Sequence, residues 1–504
     1  MPAPAPPVDR AATHQLTRFV VLRLLGFVYL VAFACLAVQY RALLGERGLT
    51  PVGRWLERLV EYHGSRSSAI LETPSLFWLG HPDALMIACA WSGAALSLLV
   101  VAGITNAFVQ FVLWVLYLSF VHVGQEWYSY GWEIQLCETG FLAIFLCPVS
   151  SIGPFPRTPP PATVIWLFRW LIARIMLGAG LIKIRGDSCW RDLTCLVYHF
   201  ETQPIPNPFS RVLHLAPKCF LEAGTAFNHV VELVAPWFLL LGRRMRRAAG
   251  VAMLALQVFL ILSGNLSFLN WLTIVPILAC FDDASFARLL PRRWVETAYR
   301  TDFEPRPSRL HRGVAWALVV LVGMLSVKPV LNLVSPGQVM NTSFQSLDLV
   351  NTYGAFGSVG RERLQLVIEG TDAETPQPDT IWREYAWKAQ PSDPMRAPPW
   401  IAPWQWRVDW QAWFAAMSSP ARHRWLVKLV DRLFDNDPLM LSLLGDNPFA
   451  DAPPRWIRIE AYRYRFAPWD DPSGAWWRRE RLGDWLLPIQ KDDPRVRRFL
   501  EGGP

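Results

Sequence analysis

RIMLGAGLIKIRGDSCWRDLTCLVYHFETQPIPN, residues 174–207, carries an apolar helical run straight into a loop dense with ionisable groups. Lys183, Arg185, Asp187, Arg191, Asp192 and Glu201 crowd that loop, and Cys189 and Cys195 bracket part of it. Charge on a membrane helix is costly unless it pairs or reaches water. The segment therefore reads as the end of a membrane span opening into a structured polar loop. The bulk composition agrees. Over 504 residues the chain is 52% hydrophobic and only 18% charged, with 26 tryptophans, a residue type that favours membrane interfaces. The net charge of +8 is modest for this length and lies in loops. No alternation of basic and aromatic residues suggests a nucleic-acid surface.

Outward from this stretch, apolar runs near the ~20 residues needed to cross a bilayer mark candidate spans. They fall at 19–40, 84–104, 106–122, 134–152, 163–183, 226–241, 248–263, 268–281 and 313–331. The runs at 226–241 and 268–281 are short, and 248–263 also reads as half of a re-entrant pair about Gly264 and Asn265. That gives eight or nine spans over 19–331. The Pro/Ala-rich start, residues 1–18, reads as a cytoplasmic tail, and the first span as an uncleaved anchor. Orientation follows from GRRMRR at 242–247 and the basic loop holding Arg288, Arg292, Arg293, Arg300 and Arg306. Positive charge stays on the cytoplasmic side. Loops 41–83, 123–133 and 184–225, and everything beyond about 331, then face outward. The five arginines within 41–83 run against this scheme, but long loops translocate with less regard for charge.

That topology puts Cys189, Cys195 and Cys219 in a loop facing an oxidising compartment. A Cys189–Cys195 bridge is the leading expectation. An exchanging dithiol and a pair of free thiols stay open, since the spacing is not C-x-x-C. The other five cysteines sit in or beside apolar runs as small hydrophobes.

Within the spans lie Glu138, Arg169, Arg174, Lys183, Asn228, His229 and Glu232. Arg169 and Lys183, fourteen residues apart, share a helix face from which Arg174 points away. Asn228, His229 and Glu232 are close enough for one face to present all three. Two readings are open: cross-bundle pairing with Lys183 reaching for the interface, or a polar cavity opening outward under the 184–225 loop. His199 and Glu201 read as a solvated loop pair. The scattered histidines give no H-x-x-H or E-x-x-H spacing, so neither metal nor cofactor is expected.

Beyond residue 331 the pattern changes. Alternation in 362–370, 380–389, 404–413 and 455–466 suggests half-buried strands, and 420–445 looks helical. The expected architecture is an α-helical polytopic membrane bundle followed by a soluble, mainly β, sandwich-like domain over 332–504. Its tryptophans suit either an internal core or an exposed aromatic surface. Enzyme signatures are lacking: there is no G-x-S-x-G elbow, and YGAFGSVG (353–360) has no strand-to-helix context for a nucleotide.

The blocks GAGLIKIRGD, CWRDLTC and ETQPIPNP resemble the lipase maturation factor family of multi-pass membrane proteins. The likeness continues through GNLSFLNWLTIVPILACFDDA (264–284), NTYGAFGSVGRERLQLVIEG (351–370) and PPRWIRIEAYRYRF (453–466). The resemblance implies a protein of the endoplasmic reticulum membrane that helps dimeric secreted lipases fold, assemble and leave. It carries over no active site. Secreted clients, lipases by resemblance, and membrane lipids are then the expected partners. Lys183, Arg185, Asp187, Trp190, Arg191, Asp192, His199 and Glu201 would form a charged rim for a client. AGLIKIRGDSCW is also similar to a helix end of the vitamin K-dependent carboxylase, which would make Lys183 a base in a membrane enzyme. A lipid-binding or transport role is the third reading. The six lysines against 43 arginines suit a GC-rich, bacterial host, in which the same topology would lie in the inner membrane.

Overall fold

The computed structural model describes residues 13–149, 151–300, 302–304 and 306–501, so most of the expected tail 1–18 lies outside the described residues. The long apolar runs become helices because only internal hydrogen bonding satisfies a backbone surrounded by hydrocarbon. The first is α1 (Gln15–Leu43), followed by the short α2 (Val52–His63) and α3 (Arg66–Glu72). Next come α4 (Asp83–Ala102), α5 (Ala107–Val123), α6 (Gly131–Ile144) and α7 (Ala162–Arg185). Small helices α8 (Ser188–Arg191), α9 (Cys195–Thr202) and α10 (Pro208–His214) fill the polar loop, and α11 (Lys218–His229) follows. Then α12 (Arg243–Ser263) and α13 (Leu269–Ile277) form an antiparallel pair, with Asn270 bonded to Gln257 and Gly250 against Cys280. Short α14 (Asp283–Phe286) and α15 (Arg292–Ala298) lead to α16 (Arg309–Leu325) and α17 (Val327–Val334). Five helical segments (α1, α4, α7, α12 and α16 with α17) are long and apolar enough to cross a membrane, and α5 and the Leu269–Cys280 segment are shorter apolar helices.

The helix ends gather at two opposite poles. At one, Asp283 accepts the backbone N–H groups of Gln15 (2.6 Å), Leu16 (2.9 Å) and Thr17 (3.0 Å) and so caps α1. Arg243 and Arg247 pair with Asp282 there, and Arg157 pairs with Asp302 at 2.9 Å. At the other pole 41–83, 123–133 and 184–225 meet the C-terminal region. Lys428 Nζ donates to Gly48 O at 2.8 Å, and Arg211 Nε donates to Ala467 O at 2.9 Å.

That region holds β1 (Arg363–Thr371), β2 (Arg383–Tyr385), α18 (Arg407–Ala416), α19 (Arg424–Leu433), α20 (Pro438–Leu441), β3 (Trp456–Phe466), β4 (Trp477–Gln490) and α21 (Pro494–Glu501). The strands make one antiparallel sheet in the order β2-β1-β3-β4. Its register sets Ile368 beside both Tyr385 and Ile459. The β character is as expected, but among the described residues there is no second sheet; helix α18 packs on β1 where a sandwich would place one. Trp387, Trp410, Trp425 and Trp477 are buried, so tryptophan builds the core here.

One strand expectation fails. Residues 404–413 enter α18 rather than the sheet. Trp404, Trp406, Val408 and Trp410 do alternate, but the helix is buried on nearly every side, so polarity marks no face along it. Its Arg407, Gln411 and Ala415 recur at four-residue spacing instead. Strand β4 escaped notice for the converse reason: WRRERLGDWLLPIQ does not alternate, because register shifts where it pairs with β3 break the period of two.

Candidate functional site

Helix α7 delivers Lys183 to a buried position, not to an exposed rim or the interface. Its Nζ lies 2.5 Å from Glu232 Oε1, 3.2 Å from Asn228 Oδ1 and 4.9 Å from the Trp190 ring centroid. Glu232 sits in a single π turn (Val230–Val234) that continues α11, and Asn228 Nδ2 donates to its second oxygen at 2.9 Å. A π turn inserts an extra residue into the helix and re-aims the side chains around it. Asn228 and Glu232 share the face toward Lys183 as expected. His229 turns aside, its Nε2 lying 2.9 Å from Trp190 O. Lys183 is thus enclosed by a carboxylate, an amide and an indole, with Glu232 as its ion-pair partner.

The other charged residues expected within spans find partners elsewhere. Arg174 pairs with Glu138, whose Oε2 also accepts Tyr353 Oη (2.7 Å) and Asn351 N (3.0 Å). Arg169 Nε donates to Ala279 O at 2.7 Å. Glu138 and Arg174 thus pair between α6 and α7 and also grip a loop from the C-terminal region.

That loop, 351–360, runs along α7. An ideal Cβ at Gly178 would lie 2.3 Å from Tyr353 O, and one at Gly186 would lie 2.2 Å from Gly357 O. Only glycine lets the two backbones approach this closely. Asp187 completes the clasp: it caps α8 through Cys189 N (3.0 Å), accepts Val359 N (3.3 Å) and pairs with Arg361 at 2.7 Å. Partial burial would raise its carboxyl, but Arg361 and the two backbone donors outweigh this and hold it below the usual carboxylate range.

Cys189 and Cys195 are disulfide-bonded, and with Trp190 and Val359 they form a small core of their own. Trp190 Nε1 donates to Phe356 O at 2.8 Å, so the bridge braces the loop's contact. Cys219 is exposed and free. Arg185 Nη1 donates to Gln338 Oε1 at 2.7 Å, and Arg191 Nη1 donates to Ile184 O at 2.9 Å. Of the expected rim, Arg191 and Asp192 are exposed, while Lys183, Trp190, His199 and Glu201 are buried.

His199 and Glu201 are not a solvated pair. Both are buried in α9 and point apart. Glu201 Oε2 accepts Phe466 N at 2.7 Å and lies 3.3 Å from His214 Nε2. His199 packs edge-on to Phe356, 4.7 Å between ring centroids. Burial, with the Lys183 charge nearby, pushes its imidazole down to about 4, so it is neutral at physiological pH.

His199 opens onto a cavity of roughly 460 Å³ between the bundle and the C-terminal region. Trp132, Ile175, Leu269, Phe356, Trp410 and Trp413 supply much of its wall. The sequence suggests a polar cavity opening outward under the 184–225 loop; the wall is instead mostly apolar, because helix α18 contributes Trp410 and Trp413. Among the described residues no group of three or more His, Cys, Asp or Glu side chains is placed to hold a metal ion.

Compared with known proteins, residues 16–288 match the family model described as lipase maturation factor transmembrane domain, and 349–487 match the lipase maturation factor C-terminal domain. Lipase maturation factor 1 of Bos taurus is 48% identical over 510 residues, covering 96% of this chain and 91% of the relative. The Homo sapiens counterpart is 45% identical, covering 98% and 91%. Lipase maturation factor 2 of Homo sapiens is 27% identical, covering 97% and 85%. No solved structure matches.

Proposed function

The chain belongs to the lipase maturation factor family, and we propose from that premise that this integral membrane protein serves secreted lipases as an accessory factor, helping them fold and assemble. The observation that carries the proposal is similarity at 48% identity that spans bundle and C-terminal region together. The geometry supports an accessory role over bond-making chemistry. Paired charges at the junction hold one region on the other: the buried Glu133 with Arg407, the buried Glu138 with Arg174 and the 351–353 loop, and the partly exposed Asp187 with Arg361. Such pairs build a rigid platform, and Lys183 has its partners already. The client would meet the pole formed by 184–225 and the C-terminal region, where Arg191 and Asp192 are exposed. That pole would face the endoplasmic reticulum lumen, or the periplasm in a bacterial host, with Arg243–Arg247 on the cytoplasmic side.

Affinity purification from native membranes in mild detergent, followed by identification of bound proteins and small molecules, tests this. Secreted lipases in the eluate support the accessory role. A bound quinone without any secreted hydrolase would point to a membrane enzyme instead.

A further inference from the structure

The junction cavity is built for an uncharged occupant. At roughly 460 Å³ it falls within the ~300–1,000 Å³ usual for small-molecule sites. No lysine or arginine lines it. Its one carboxylate, Glu362, is 44% exposed and paired with Arg463 at 3.0 Å, so it belongs to the solvent side. Inside, the imidazole of His199 is 4% exposed, packs against Phe200 and Phe356, and makes no hydrogen bond among the described residues. It is a hydrogen-bonding group left unengaged in an apolar space.

The mouth is apolar as well. Met340, Phe414 and Met417 line the cavity, yet are 43%, 38% and 50% exposed. This rim is continuous with the outer surface of the helix before it. Val327, Leu331 and Val334 on α17 are exposed, and so is Val339. Asn332 ties Val339 to that helix through two hydrogen bonds, of 2.8 and 2.9 Å, and Met340 is the next residue. Of the polar side chains here, Asn332 and Gln338 are buried and Ser335 is half-buried, while the exposed Lys328 lies with its Nζ 5.7 Å from the Phe344 ring centroid. An apolar track thus leads from the bundle's outer face to the cavity.

We propose that the cavity binds an acyl chain of a membrane phospholipid, drawn from the bilayer along α17 and past Met340, with His199 available to an ester carbonyl. A client peptide suits the space less well. It would bring a series of backbone N–H and C=O groups that each need a partner, whereas, besides His199, the buried unpartnered atoms on the described wall residues are Gln203 Oε1 and the indole nitrogens of Trp132 and Trp410; a hydrocarbon tail brings no such groups.

The test uses the full chain in phosphatidylcholine vesicles doped with a phosphatidylcholine carrying a diazirine on one acyl chain. After irradiation, cross-linked peptides are mapped. Labelling is expected at 340–356 and 410–417, in addition to the outer faces of α12 and α16. Ala179→Trp fills the cavity, and Met417→Arg places a charge at its mouth from an exposed position that does not threaten the fold. Each should abolish the labels at 340–356 and 410–417 while keeping those on α16. Labelling confined to α12 and α16, or cavity labelling that survives both variants, overturns the proposal. So does labelling of 410–417 by a diazirine-bearing lipase peptide when the lipid probe leaves it untouched.

Discussion

Arg407 Nη1 stands 2.8 Å from Glu133 Oε1 with both side chains wholly shielded from solvent, so an ion pair joins the C-terminal region to the start of α6. Arg407 also donates to Trp127 O, and its guanidinium lies 3.5 Å from the Tyr128 ring centroid; Tyr117 donates to the second oxygen of Glu133. Removing one partner strands a buried charge, which costs about 3–5 kcal/mol, whereas replacing both with apolar groups is often neutral. Arg407→Leu should therefore lower the melting temperature sharply, and Glu133→Leu with Arg407→Leu should recover most of the loss. Thermal unfolding in nanodiscs checks this.

Lys183 and Glu232 obey the same logic inside the bundle. Lys183→Met should destabilise the fold by about 3–5 kcal/mol by leaving Glu232 unpaired. Adding Glu232→Gln removes the stranded charge and keeps an acceptor and a donor for Asn228, so the double variant should fold nearly as well as the parent. The readout is the yield of monodisperse protein in detergent. A single variant as stable as the double would contradict the buried pairing.

The Cys189–Cys195 bridge closes a short ring, so its removal should cost at most about 2 kcal/mol globally. The effect should be local. In Cys189→Ser with Cys195→Ser, amide exchange at 353–360 should rise, because Trp190 and Val359 pack on the bridge. Exchange elsewhere in the C-terminal region should be unchanged.

Asp409 gives a pH dependence of known sign. Its Oδ1 accepts Ala389 N (2.6 Å) and Gln390 N (3.0 Å), but burial outweighs these donors and pushes the carboxyl up to about 6 from 3.8. The folded state then holds this proton more tightly than the unfolded state. The burial penalty is absent below pH 4 and grows as pH rises through 6, reaching about 3 kcal/mol. Asn at 409 keeps the acceptor and does not titrate. The melting temperature of Asp409→Asn relative to the parent should rise from pH 4 to 6 and level off above.

Orientation is checked by single-cysteine labelling of intact cells or sealed vesicles, with the native free thiols replaced. A probe at Gly474 should be modified from the outside and one at Arg244 spared. The reverse pattern would invert the proposed placement of the two poles.

How much of this was legible depended on how far each partner lies along the chain. Apolar runs declared the helices, alternation declared β1 and β3, and six residues of separation made the disulfide an open expectation. The character of the charged loop was not legible. Whether Lys183 and Asp187 stand in solvent is decided by Glu232 and by Arg361, 49 and 174 residues away. The cavity was hidden for a related reason: its walls come from α6, α7 and α18, and α18 is buried on so many sides that its sequence shows no helical face.

The central claim is that this chain promotes lipase maturation without bond-making chemistry at Lys183. The direct measurement is the ratio of secreted active lipase to total lipase synthesised in cells that lack their own maturation factor. Expression of the parent chain should restore that ratio, and the folded Lys183→Met, Glu232→Gln double variant should restore most of it. A parent chain that is folded and membrane-inserted yet restores nothing would contradict the claim, as would a well-folded double variant with none of the parent's effect.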